Sequence, residues 1–204
     1  MATNHSCLPC TFVVISGDNF YFQVKDDETD LQCDSYKIST TCKSKHWLRV
    51  QDNLFLSVAG EQCYFVDLNR EQQVGPDCQF IVQPFNETPD SPPHPEDRGR
   101  AVTLAVREES KYKVVSCREG SNDIKVQIMD KLPATIGDDD CWSLFYMKDC
   151  TESSGHYMFV SAAKPKFALA FQQEPGPTRM SKLVLRQLDD EVDEGCHIEV
   201  PLCL

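Results

Sequence analysis

The stretch AVTLAVREESKYKVVSCREGSNDIKVQIM, residues 101–129, decides the fold class. It holds three short apolar runs, AVTLAV (101–106), YKVVSC (112–117) and IKVQIM (124–129). The last alternates cleanly: Ile124, Val126 and Ile128 face one way, Lys125 and Gln127 the other. Period-two runs rich in Val and Ile read as strands, and no segment carries the periodicity of an amphipathic helix.

Outward from this stretch the same pattern repeats. WLRV (47–50), LFLSV (54–58), CYFVDL (63–68) and CQFIVQ (78–83) precede it. CWSLFYM (141–147), YMFVSA (157–162), FALAF (167–171), KLVLRQ (182–187) and HIEV (197–200) follow. The twelve candidates fall into three groups of four, starting near residues 47, 101 and 157. Even spacing of short strands points to a closed barrel or a sandwich. Three groups of four is the arithmetic of a β-trefoil over about 47–200, and a twelve-strand sandwich is the alternative.

Two segments stand apart. PFNETPDSPPHPEDRGR (84–100) has five prolines and reads as a long surface loop within the domain. At the N-terminus, TFVVIS (11–16) and NFYFQV (19–24) flank Gly17-Asp18, a hairpin signal. So apolar a hairpin is expected to dock on other apolar surface, since an isolated one is marginal in water. The acidic, strand-poor run KDDETDLQCD (25–34) follows and is expected to be solvated.

Composition narrows the function classes. The chain has 204 residues, 25% charged and 41% hydrophobic, the profile of a globular protein. Its net charge is −12, which argues against nucleic-acid and anionic-membrane partners. The first residues lack the positive region of a secretory signal, so a reducing compartment and mostly free thiols among the 11 cysteines are expected. Cys7-Leu8-Pro9-Cys10 is the one C-x-x-C, and with no second ligand pair it implies no metal. The sequons at Asn4 and Asn86 are then expected to be unused. No nucleophile elbow, phosphate loop or His-Glu-x-x-His is present, so no catalytic residue and no cofactor are assigned. His46, His94, His156 and His197 read as surface or strand-edge residues, and Trp47 and Trp142 as packing residues that begin strands.

The order of short motifs along the whole chain resembles the interleukin-1 cytokine family, and within it the interleukin-18 branch. Gln62-Cys63-Tyr64-Phe65-Val66-Asp67 resembles a family strand ending in Asp. Arg98-Gly99-Arg100-Ala101-Val102-Thr103 resembles Arg-Gly-x-Ala-Val-Thr, and Val115-Ser116-Cys117 resembles Leu-Ser-Cys. Phe159-x-Ser161 opens the family signature, and Lys182 to Leu185 with Asp189-Asp190-Glu191 resembles its terminal strand and acidic turn. Asp18-Asn19, Tyr21-Phe22 and Asp26-Asp27-Glu28 resemble the branch's propeptide. Residues 35–53 look about ten longer than in the family, and Ala168 to Phe171 replaces a more polar strand end.

The resemblance implies an all-β trefoil of twelve strands, residues 35–204, preceded by a propeptide, residues 1–34, that carries the hairpin. It implies a pro-inflammatory cytokine precursor held in the cytoplasm and released without a signal peptide. The partners it implies are a heterodimeric pair of immunoglobulin-domain, interleukin-18-type receptor chains that signal through Toll/interleukin-1 receptor domains toward interferon-γ, an inflammatory caspase, and a soluble interleukin-18 binding protein. Activation would be cleavage between Asp34 and Ser35. A caspase pairs the Asp carboxylate with arginines and binds an extended substrate, and Leu31-Gln32-Cys33-Asp34 before a small residue suits it. Asp30, closing Asp27-Glu28-Thr29-Asp30, is the alternative, and a plain solvated linker is the bland reading of the run. Cleavage would remove one base and six acids, a net of −5, and leave −7. Arg98 and Glu61 match family receptor contacts, whereas Arg100 replaces an apolar family residue and Arg179 an acidic one. Bland loop charges are the alternative for all four. The rival readings of the whole are another interleukin-1 family cytokine, or a trefoil protease inhibitor or glycan-binding module.

Overall fold

The computed structural model describes residues 10–16, 19–24, 36–39, 44–88, 98–150, 155–174, 179–188 and 194–203. The chain divides into two compact units, Met1–Gln32 and Cys33–Leu204. In the first, β1 (Cys10–Ser16) and β2 (Asn19–Val24) form an antiparallel hairpin that closes at Ser16 opposite Asn19, with a register shift between Phe12 and Val14.

The second unit begins with β3 (Tyr36–Ile38), β4 (Arg49–Val50), β5 (Leu54–Ala59), β6 (Gln62–Asp67) and β7 (Phe80–Glu87). It continues with β8 (Arg100–Glu108), β9 (Lys111–Cys117), β10 (Ile124–Met129), β11 (Thr135–Ile136) and β12 (Phe145–Asp149). It ends with β13 (His156–Ser161), β14 (Phe167–Gln173), β15 (Met180–Gln187) and β16 (Ile198–Glu199).

The pairings close a ring. His46 bridges Phe80 of β7, β7 pairs β8, β8 pairs β12, and β12 pairs β13. β13 pairs β16, and β16 returns to β4, with Leu202 bridging His46. That is a six-strand barrel, and closure leaves its central strands no free edge. The remaining long strands make three hairpins, β5–β6, β9–β10 and β14–β15. They interlock through the β15–β6 ladder, the Asp123–Val184 bridge and the bond from Val126 N–H to the Glu61 carbonyl, 3.1 Å. A six-strand barrel with three hairpins is the β-trefoil that the spacing predicts.

The alternating positions supply the core. Leu48, Leu56, Phe65, Phe80, Leu104, Val115, Phe145, Phe159, Leu169, Leu183 and Ile198 are buried together. Each contributes about 2 kcal/mol through surface removed from water. A second cluster holds Tyr36, Phe85, Ile136, Leu144, Tyr146, Val160 and Cys196.

The structure corrects several sequence expectations. Strand β7 runs on through Pro84 to Glu87, so the Pro-rich loop is shorter than 84–100. Pro84 sits where β7 leaves β8 for β3, the kind of ladder break that tolerates a missing N–H, and Phe85 beyond it is buried. Residues 141–143 belong to a 3-10 turn, so Trp142 does not begin a strand. Trp47 precedes β4, and its indole N–H reaches the Gln73 carbonyl at 3.0 Å. Ile128 shares a face with Ile124 and Val126 but is 62% exposed, because β10 outruns the core at that end.

Of the stretch 35–53, residues 36–39 and 44–53 are described. Ile38 pairs Phe85 and His46 pairs Phe80. The first strand of the barrel therefore spends eight residues where β7 spends five. β3 and the His46–Val50 segment flank a stretch in which residues 40–43 lie outside the described residues.

Candidate functional site

Arg98 lies just before β8, and Gly99 beside it has φ +88°. A Cβ at Gly99 would stand 2.5 Å from the Met147 carbonyl oxygen of the neighbouring β12. Glycine is needed here both for the left-handed backbone and for the close approach. The resulting turn sends the Arg98 side chain inward. Its Cζ sits 3.7 Å from the centroid of the Tyr146 ring, and the side chain is 18% exposed. Its Nη1 stands 3.9 Å from Glu87 Oε1 and makes no hydrogen bond. The Tyr146 hydroxyl is hydrogen-bonded to that of Tyr36, across 110 residues of sequence. Burial, and then this bond, push the Tyr146 hydroxyl pKa upward, so it stays a neutral phenol.

A cleft of about 420 Å³ opens elsewhere on the trefoil. Val50, Leu54, Phe171 and Met180 give it an apolar floor, and Asp52 and Arg179 stand among its lining residues. Phe171 is fixed by an edge-on contact with buried Phe65, centroids 6.0 Å apart. Asp52 (φ 64°) and Asn53 (φ 59°) are left-handed without being glycine, and such strain persists where neighbours hold it. The neighbour is Arg49, whose Nη1 donates to Asn53 Oδ1 at 3.1 Å. The same guanidinium donates through Nε to Glu199 Oε2 at 2.8 Å, and Glu199 Oε1 stands 3.2 Å from His156 Nε2. This clasp ties three strands where the barrel closes.

The four sequence-predicted contact residues fall in three places. Arg98 and the exposed Arg100 share the start of β8, and Glu61 is exposed at the β5–β6 turn. Arg179 is exposed in the cleft, beside Met180, which pairs Val66. Glu61 and Arg179 thus mark opposite ends of β6, roughly 17 Å apart by strand rise. Asp34, Ser35 and the alternative Asp30 lie outside the described residues, as do His94 and the Cys7–Cys10 motif's side chains.

Other motif residues prove structural. Cys117 and Ser161, the ends of the Val-Ser-Cys and Phe-x-Ser motifs, meet in the core with Sγ and Oγ 3.3 Å apart. Burial pushes Cys63 up to about 12 and Cys203 up to about 11, so these two thiols are poor nucleophiles at neutral pH. Among the described residues Cys63, Cys78, Cys117, Cys150 and Cys203 are free thiols. Among the described residues no group of three or more His, Cys, Asp or Glu is placed to hold a metal ion. No helix among them is long and apolar enough to cross a membrane. Sequence reasoning missed the Tyr36–Tyr146–Arg98 stack and the Arg49–Glu199–His156 clasp, for no local pattern signals contacts at such separations.

No family model matches the sequence, and no curated protein sequence matches it. Solved structures do match in fold. The crystal structure of chicken interleukin-1β superposes with a TM-score of 0.57 at 14% identity, covering 82% of this chain and 99% of that one. A Clostridium perfringens endo-β-galactosidase that releases GlcNAcα1-4Gal gives 0.52 at 13% identity, covering 79% of this chain and 33% of that one. The cytolethal distending toxin of Actinobacillus actinomycetemcomitans gives 0.52 at 12%, covering 81% and 96%. At such identities the likeness is one of fold, and folds of this kind carry several functions.

Proposed function

We propose that this chain is a cytokine of the interleukin-1 family, of the interleukin-18 branch, made as a precursor and activated by an inflammatory caspase after Asp34. The observation that carries the reading is the placement of the family-like motifs within a closed trefoil. The Arg98-Gly99 pair forms a turn that needs its glycine, and Arg100, Glu61 and Arg179 are exposed charges that no fold requirement explains. A trefoil cytokine acts by surface patches of roughly 800 Å² per partner. The cleft beside Arg179 and the Arg98–Arg100 turn are candidate patches for the two immunoglobulin-domain receptor chains, which would signal through Toll/interleukin-1 receptor domains toward interferon-γ. A soluble binding protein would compete for the same surfaces. In this reading residues 1–34 hold the precursor latent in the cytoplasm, and release outside the cell follows an unconventional route.

The test is incubation of the full-length chain with a panel of inflammatory caspases, with product N-termini read by mass spectrometry and receptor signalling read on reporter cells. A product beginning at Ser35 that signals, lost in Asp34→Ala, is the expected result. An uncut chain, or a cut chain that never signals, refutes the reading. Inhibition of a protease by the intact chain points to the rival class.

A further inference from the structure

The Arg98 guanidinium is held from below and from the side, and both holds trace back to one strand. Tyr146 of β12 supplies the ring face at 3.7 Å, and Tyr36 of β3 fixes that ring by sharing a hydrogen bond between the two phenols. Tyr36 is 2% exposed and Tyr146 is equally buried. Tyr36 also pairs with Glu87, the carboxylate 3.9 Å from Arg98 Nη1. Gly99 gives the turn that points Arg98 at the ring.

We propose that Tyr36 and Tyr146 are positioning residues that fix the orientation in which Arg98 meets its partner. The proposal rests on the reading of Arg98 as a receptor contact. Its physical content is preorganisation. A long cationic side chain freed of its perch samples many rotamers and must be ordered on binding, whereas a stacked one is ordered beforehand. Tyr36 stands two residues beyond the proposed cut, so the strand that follows the cut also sets the arginine. A cleavage downstream of Tyr36 would discard that strand's contribution.

The two phenols also make a sharp test, because a buried hydroxyl left alone costs more than a pair removed together. In the ¹⁵N-labelled full-length chain, the Arg98 Nε–Hε signal should be displaced by the Tyr146 ring current. Tyr146→Leu should return it to the position of exposed arginines. Tyr36→Phe should shift it in part, and adding Tyr146→Phe should restore stability but not the signal's position, because the bond that fixes the ring is absent from both variants. On the caspase-cut chain, Tyr146→Leu should weaken binding to the receptor ectodomains about fivefold, the scale of a lost cation–π contact. That loss should vanish in an Arg98→Ala background, while the double phenylalanine variant stays within about twofold of native.

An Arg98 signal that ignores Tyr146→Leu overturns the proposal. So does an equal loss with and without Arg98. A native chain that binds receptor but is indifferent to Arg98→Ala sinks the proposal alone and leaves the cytokine reading standing. A cut native chain that binds neither receptor chain overturns that reading instead.

Discussion

Replacing Gly99 by alanine should destabilise the trefoil more than the same change at any of its open glycine turns. Two costs add. The backbone is at φ +88°, where an L-residue is unfavourable by about 1–2 kcal/mol. The new methyl would also lie 2.5 Å from the Met147 carbonyl oxygen and 2.8 Å from Lys148 Cγ. The lysine can swing away, but the carbonyl belongs to the ladder in which Met147 pairs Arg100. Relief must come from β8 moving off β12, an overpacking cost of about 1–3 kcal/mol. The sum is about 2–5 kcal/mol, a large part of a domain stability of about 5–15 kcal/mol. Gly120→Ala is the control: φ is +72° but nothing lies within 4 Å of its Cβ, so only the backbone cost of about 1–2 kcal/mol applies. Urea unfolding followed by circular dichroism at one temperature measures both. The expected midpoints fall for both variants, and by at least about twice as much for Gly99→Ala. Equal losses would show that β8 and β12 are not held at this approach, and the account of the Arg98 turn would fail with them.

Glu199→Ala should cost about 1–2 kcal/mol, seen as a lowered melting temperature, because Arg49 loses its acceptor and His156 its neighbouring carboxylate at a site about one-third exposed. Wild-type melting that is indifferent to the change would show the clasp to be inert. Cys63 is raised from 9.0 to about 12, so the folded state keeps a proton that the unfolded state has lost at alkaline pH. Stability should therefore be complete below pH 9 and fall as pH rises toward 12, by about 1.4 kcal/mol at pH 10. Cys63→Ala should flatten that part of the profile, and a parallel decline in both chains would contradict the assignment. Arg179→Glu should weaken receptor binding tenfold or more, on the scale of about 1.4 kcal/mol, while leaving the melting temperature in place, since Arg179 makes no ion pair among the described residues. A fall in melting temperature without a change in affinity would reverse its role.

Strand content and trefoil topology were legible because alternation and spacing are local signals that the barrel obeys. FALAF, KLVLRQ and IKVQIM each form one side of an antiparallel hairpin. Short or interrupted elements were not legible. Strands β3 and β11 have three and two residues, too few to show any period, and they exist only because each pairs with the other and β3 with β7. Pro84 spoke against a strand by a rule that holds within ladders and lapses where a strand changes partners. The candidate contact residues could be named from the sequence as charges, but not as an arrangement. Nothing near Arg98 in sequence announces a ring supplied by Tyr146, and nothing near Arg49 announces Glu199.

The motif residues divide by what the fold asks of them. Gly99 is dictated by a backbone angle and a carbonyl, and Cys117 and Ser161 by each other's burial. Any chain folding this way has reason to keep such residues whatever it binds, so their match to a family speaks for the fold. Arg100, Arg179 and Glu61 are different, for each is exposed, and reversing an exposed charge costs the fold little. On a cut body of net charge −7, two arginines that make no ion pair among the described residues, beside a turn and a cleft, are where a partner's carboxylates gain most. Arg98 belongs to both groups, stacked like a core residue yet charged like a contact. Its substitution should therefore move stability and affinity together, whereas Arg179 should move affinity alone. A variant set that separates the two residues in this way would locate the binding surface without a complex. If Arg98→Ala and Arg179→Ala instead behaved alike in both measurements, the division between fold-bearing and partner-bearing charges would be wrong for this trefoil.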